Sequence, residues 1–158
     1  MSNSVNVSLV AISAQDLDYI FEWQKDVNLA QLRQARGIPS SLDDVKVWFN
    51  LVSKNRLIEI WMIAIDRHEA PVGYVRLDFV DSERKEAYIG ILVAQNRNQG
   101  IGTEVLKKLM TFYSGSGLKL RARVSLENTA SIRLFKKMQF SECEIGEKDS
   151  IVLERFVW

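Results

Sequence analysis

The chain has little of what most hydrolytic, redox and metal sites are built from. Of its 158 residues one is cysteine, Cys143, and one is histidine, His68. A lone cysteine closes no internal disulfide and rules out a cysteine-ligated zinc site. A Ser-His-Asp or Cys-His mechanism would rest entirely on His68, which falls in the polar turn Asp66–Ala70, where a solvated histidine is the simpler reading. The prolines are Pro39 and Pro71 only, and no linker, repeat or heptad run divides the sequence. No stretch approaches the roughly 18 apolar residues of a membrane span. The longest apolar stretch, Leu57–Ile65, is broken by Glu59. The first residues lack the basic start and long apolar region of a secretory signal, so a cytoplasmic location is expected. An excess of one charge is also missing. Lys+Arg 21 against Asp+Glu 20 leaves a formal net charge of +1. No nucleic-acid partner and no membrane partner are therefore expected.

What is present is the composition of an ordinary globule, 47% hydrophobic and 26% charged. One domain over residues 1–158 is expected. Val5, Val7, Leu9 and, in looser register, Ile12 predict a first strand. Ser13 and Asp16 form a capping signal before a helix bearing Leu17, Ile20, Phe21 and Gln24. Asn28–Ser40 is ambiguous, with Gly37 and Pro39 closing it. Ser41 and Asp44 make a second capping signal, and Val45, Trp48, Phe49 and Val52 give that helix an apolar face. Strands follow at Leu57–Asp66 and after Pro71, where Val75, Leu77 and Phe79 alternate with Tyr74, Arg76 and Asp78. Glu86–Ala94 is nearly continuously apolar, as expected of a central strand buried on both faces. Val105, Leu106, Leu109, Met110 and Tyr113 then recur with helical spacing, up to the stop Ser114–Gly117. A strand at Leu118–Leu126, a helix capped by Asn128 and a hairpin of Phe140–Gly146 with Ile151–Val157 complete the chain. The order β-α-α-β-β-β-α-β-α-β-β defines an α/β domain with a mixed sheet.

Chemistry concentrates in Arg97-Asn98-Gln99-Gly100-Ile101-Gly102-Thr103, between an apolar strand and an amphipathic helix. The first N–H groups of a helix have no intrahelical acceptor, and the helix dipole adds a partial positive charge there. Glycines let a phosphate approach those groups, and Arg97 adds a charged donor. No Gly-Lys-Ser/Thr ending makes this a Walker loop. Val105 stands where the third glycine of a dinucleotide motif belongs. By itself the motif reads equally well as a strand-to-helix turn that needs small residues.

Its surroundings decide more. Arg97-x-x-Gly100-x-Gly102 resembles the pyrophosphate signature of the GNAT acetyl-CoA-dependent N-acetyltransferases. Ala87–Val93 matches that family's fourth strand, and Asn128–Phe140 resembles its Asn-x-x-Ala-x-x-Leu-Tyr-x-x-x-Gly-Phe segment. The resemblance implies a mainly antiparallel mixed sheet of about seven strands flanked by about four helices. It implies acetyl-CoA as cosubstrate, no metal, a small-molecule amine acceptor, and a monomer or homodimer. The backbone at Leu92 and Val93 would pair with the pantetheine arm, and Arg97 to Thr103 would wrap the pyrophosphate. Asn128 and the face bearing Phe135 and Lys136 would border the thiol end. Two positions depart from the pattern. Phe135 replaces the frequent general-acid tyrosine, and Gln139 replaces a glycine. A leaving thiolate, with an ordinary thiol pKa of about 8.5, departs tolerably without an acid. Tyr113, Tyr88 or water can stand in for one.

Within that resemblance, an amine attacks the thioester directly and a base takes its proton. A backbone N–H near Leu92 or Val93 would polarise the carbonyl. Glu86, opening the apolar strand, is the first candidate base; the alternative is a solvated strand-end charge. Tyr88 is the second candidate, against a core or interface aromatic. Arg76 and Asp78 share a polar face and either meet the acceptor or pair with each other. Trp23 can stack on a sugar or nucleotide, whereas Trp48 reads as core and Cys143 as a small buried hydrophobe. Trp23, Trp48-Phe49, Val72–Asp78 and Tyr88–Ile91 resemble the family branch that acetylates nucleotide-linked amino sugars. The alternatives are acetylation of a protein N-terminus or another small amine, a non-catalytic acyl-CoA-binding module, and a small interaction domain using its sheet edge.

Overall fold

A computed structural model describes residues 5–25, 41–97 and 99–158. The ambiguous segment Asn28–Ser40 and Asn98 of the glycine loop lie outside the described residues. The strands are β1 (Val7–Ala11), β2 (Ile58–Ile65), β3 (Gly73–Phe79), β4 (Glu86–Val93), β5 (Leu118–Ser125), β6 (Ser141–Ile145) and β7 (Ser150–Val157). The described α-helices are α1 (Leu17–Lys25), α2 (Leu42–Lys54), α3 (Ile101–Phe112) and α4 (Thr129–Lys137). The capping signals act as the sequence predicts. Asp16 accepts from the Ser13 N–H at 2.8 Å ahead of α1. Ser41 accepts from the Asp44 N–H at 3.1 Å, and Asn128 accepts from the Ser131 N–H at 3.2 Å.

The strands form one sheet in the order β1-β2-β3-β4-β5-β7-β6. Every pairing is antiparallel except β4–β5. Alternation along the strands divides the core in two. On one face Val75, Leu77, Phe79, Ala87, Ile89, Leu120 and Ala122 pack with Ile101, Val105, Leu106 and Leu109 of α3 and Phe135 of α4. On the other, Met62 and Leu92 pack with Leu17, Ile20 and Trp23 of α1 and Val45 of α2.

Two features of this sheet position the site. The parallel β4–β5 ladder runs only from Glu86–Lys119 to Tyr88–Arg121. Beyond it β4 continues to Val93 and β5 to Ser125 without pairing to each other. The strands therefore part, and one edge of β4 is left open in the middle of the sheet. Secondly, β4 is not buried on both faces as its apolar run predicts. Ala87, Ile89 and Leu92 are buried, but Gly90 is exposed and Tyr88 half-buried. Among the described residues, helices α1 and α2 pack on this face at Leu92, while Gly90 is exposed.

Candidate functional site

The open edge of β4 has definite donors. Ala94 donates its N–H to the Val72 carbonyl, Val80 to the Glu86 carbonyl, and Lys119 to the Lys85 carbonyl. In an antiparallel ladder successive residues direct their backbone groups to opposite sides. The even-numbered residues of β4, Leu92 included, therefore bond to β3, where Leu92 stands opposite Tyr74. Ile91 and Val93 direct their N–H and C=O groups toward β5, which has already left. The backbone groups turned to the open edge are therefore those of Ile91 and Val93, and not those of Leu92. Leu92 instead buries its side chain against α1 and α2.

The glycine loop leads from that open edge into α3. Gly100 caps the helix in the left-handed region, φ 77°, where a side chain is strained. The first helical bond runs from the Glu104 N–H to the Gly100 carbonyl. The N–H groups of Ile101, Gly102 and Thr103 thus have no intrahelical acceptor, and no side chain caps them. The Ile101 side chain is buried in the core, so only its backbone serves this end. Arg97 and Gln99 are exposed beside it. Gly102 has a packing role as well. A Cβ there would lie 2.7 Å from Cδ2 of Leu134, so its small size lets the start of α3 approach α4. Unpaired strand amides running into an uncapped helix N-terminus suit an extended, amide-bearing ligand that ends in phosphates.

Around the start of β4 the polar side chains meet at Arg121, which the sequence reading had not singled out. Its Nη1 donates to Glu86 Oε1 and to the Tyr88 hydroxyl, each at 3.1 Å. Nη2 lies 3.2 Å from Glu144, and Nε lies 3.5 Å from Glu154 without hydrogen-bond alignment. The signal was present: Arg121 and Arg123 alternate with buried Leu120, Ala122 and Val124. What was missing was the parallel register that sets Arg121 beside Tyr88. Because a guanidinium only donates, the Tyr88 oxygen must accept from it, and the Tyr88 proton stays available. The second oxygen of Glu86 has no partner among the described residues.

The structure corrects several expectations. Trp23 is 6% exposed and stacks on Tyr74 at 6.3 Å between ring centres, so it is core and not an acceptor platform. Phe135 is buried edge-on against Phe140 at 5.0 Å, because α4 turns its most apolar stripe to the sheet. Lys136, exposed on α4, pairs with Glu142 at 2.8 Å. Cys143 is exposed on β6, with Sγ 3.6 Å from Arg121, and is not a buried hydrophobe. Tyr113 is tied to the other face of the sheet, donating to Glu59 at 2.7 Å. Burial first, then the Glu59 bond and charge, push its pKa up. It is a structural tie and does not take the place of the missing acid. Arg76 and Asp78, both half-buried, bond each other at 2.7 Å on the face that bears Tyr88 and Gly90. His68 is an exposed turn residue with Nδ1 2.8 Å from the Ala70 carbonyl.

The mixed sheet thus opens at its one parallel pair, with an uncapped helix start beside the opening. Residues 6–141 match the acetyltransferase (GNAT) domain model, and the chain belongs to that family. A 64-residue stretch is 38% identical to the N-acetyltransferase 9-like protein of Schizosaccharomyces pombe. That stretch covers 36% of this chain and 30% of the relative's length. Among solved structures, spermidine N-acetyltransferase from Vibrio cholerae in complex with CoA and spermine superposes with a TM-score of 0.85. Identity is 16%, over 96% of this chain and 95% of that one. An aminoglycoside acetyltransferase in complex with coenzyme A gives a TM-score of 0.78 at 17% identity, over 96% and 95% of the two chains. At these identities the likeness establishes the fold. Among the described residues no helix is long and apolar enough to cross a membrane.

Proposed function

We propose that this chain is an acetyl-CoA-dependent N-acetyltransferase that acts on a primary amine of a small molecule by direct attack. One observation carries the reading: the Ile91 and Val93 amides, unpaired among the described residues, lie on the strand leading to the uncapped N–H groups of Ile101, Gly102 and Thr103. The membership of the GNAT family supports it. Acetyl-CoA would supply an acetyl thioester with a good leaving group. The chain's own residues supply the rest. The open amides of β4 hold an extended arm and donate toward an acyl oxygen. The start of α3 holds the phosphates with backbone groups, which requires no basic surface.

Glu86 takes the proton that the attacking amine must lose, directly or through one water, on the carboxylate oxygen Arg121 leaves free. Tyr88, whose oxygen accepts from Arg121, has its own proton to give to the departing thiolate. Arg121 is the positioning residue for both. Tyr88 thereby supplies the proton donor that Phe135 cannot be. The nucleotide-linked amino sugar remains our favoured acceptor class. The polar pair Arg76–Asp78 beside the open stretch of β4 supports a polar acceptor.

Free thiol release from acetyl-CoA in the presence of a panel of primary amines tests the reading. Amine-dependent release is expected. Tight binding of acetyl-CoA with no release on any amine would assign the chain to a non-catalytic acyl-CoA-binding module. Absence of binding would overturn the placement of the cosubstrate.

A further inference from the structure

Gly90 lies near the middle of β4, directly opposite Arg76 of β3. A Cβ placed on it meets nothing within 4 Å. The sheet therefore has a hollow between the side chains of Tyr88 and Leu92, on the face where, among the described residues, α1 and α2 pack at Leu92 and Gly90 is exposed. Across the opening stands Arg123. Extending the β4–β5 register two residues past Tyr88–Arg121 brings Arg123 level with Gly90. Its guanidinium lies 5.0 Å from the centre of the Tyr88 ring, and the residue is exposed.

The charges on this face are matched unequally. Asp78 is held by Arg76 at 2.7 Å. Glu86, Glu144 and Glu154 all converge on Arg121. Arg123 has no carboxylate partner among the described residues. The strands flanking Gly90 carry Arg76, whose guanidinium is held by Asp78, and Arg123, whose guanidinium lies over the Tyr88 ring with no carboxylate on it among the described residues. The carboxylates lie one step away, toward the Glu86 end.

Resting on the acetyl-transfer reading above, we propose that the acceptor amine carries an anionic group, a phosphate or carboxylate, which Arg123 binds at the rim of the Gly90 hollow. The Tyr88 ring holds the guanidinium by its face, which leaves the N–H fork free for a planar or tetrahedral anion. The same ring sits beside the proton donor and Glu86, so the anion is bound next to the proton-transfer groups.

The experiment compares amines that differ in their anion. Thiol release from acetyl-CoA is followed with spermidine, glucosamine, glucosamine 6-phosphate, UDP-glucosamine and glutamate. The phosphate monoester, the nucleotide diphosphate and the carboxylate distinguish the sources of the anion. At least one of these three is expected to exceed glucosamine in kcat/KM by about tenfold or more, the scale of one charge-assisted contact. Arg123→Gln lowers kcat/KM for the favoured anionic amine, chiefly by raising KM, about tenfold more than for glucosamine, and is partly rescued by Arg123→Lys. Equal or better turnover of glucosamine or spermidine overturns the proposal and leaves acetyl transfer standing. So does an Arg123→Gln effect that is the same on every amine. No release from any amine overturns acetyl transfer, and the proposal falls with it.

Discussion

At the scale of single residues, Arg121 gathers the polar groups of the candidate site. One guanidinium bonds the Glu86 carboxylate and the Tyr88 hydroxyl through the same nitrogen. Donation into Tyr88 fixes the direction of that hydroxyl, and donation into one oxygen of Glu86 leaves the other free. Glu86→Gln keeps a hydrogen-bond acceptor for Arg121 and abolishes the proton acceptor. We expect kcat to fall about a hundredfold or more with the urea midpoint nearly unchanged, the usual scale of a lost general base. Undiminished turnover, read by thiol release, would return Glu86 to the role of a strand-end ion pair. Phe135 illustrates the opposite lesson. Its position in the motif is that of a proton donor, yet its side chain is spent on the core, 4% exposed.

Among elements, α3 packs on the sheet face opposite Glu86 and Tyr88. Its N-terminus is left uncapped beside the open strand, and its C-cap residue Tyr113 reaches Glu59 of β2. Glu59 is also bonded by Arg84, whose guanidinium lies 3.8 Å from the Phe79 ring centre. The tie has a pH signature. The folded protein holds the Tyr113 pKa above its ordinary value of 10.0, so the folded state favours the protonated phenol. That contribution is complete below pH 10 and is lost as pH rises above it through the raised folded value. The urea midpoint of the native chain should therefore fall more steeply between about pH 10 and 11 than that of Tyr113→Phe. Parallel curves would show that the tie contributes nothing.

At the scale of the whole molecule, the proposed function depends on where the sheet fails to close. Seven strands form one sheet, and one pairing of the six, β4–β5, stops after three registered residue pairs. A closed ladder would bury the amides that the opening offers. Hydrogen exchange reads this directly. The Ile91 and Val93 amides should exchange much faster than that of Leu92, and acetyl-CoA should slow both. Slow exchange of Ile91 and Val93 in the free protein, or no change on adding acetyl-CoA, would show that the opening is not the binding edge.

Much of this was legible in the sequence. The period-2 and period-3.6 patterns, with the caps at Ser13, Ser41 and Asn128, located the described elements, because these signals are local. Gly100 was legible for the same reason, since its φ of 77° is a demand of the backbone itself. The near-neutral charge was consistent with phosphate binding by backbone groups, which do not register in a net charge of +1. What lay beyond reach were the facts that depend on register between distant segments. Whether β4 is covered on one face or two, whether Trp23 meets solvent or core, and whether Tyr113 or Tyr88 lies beside Glu86 are set by packing. The sequence alone determined the order of the elements and the glycine turn, through local backbone and hydrophobic preferences. Only the tertiary structure decided that β4 and β5 part after Tyr88 and that Arg121 and Arg123 face the opening, because pairing across 33 residues of chain is settled by the packing of the whole core.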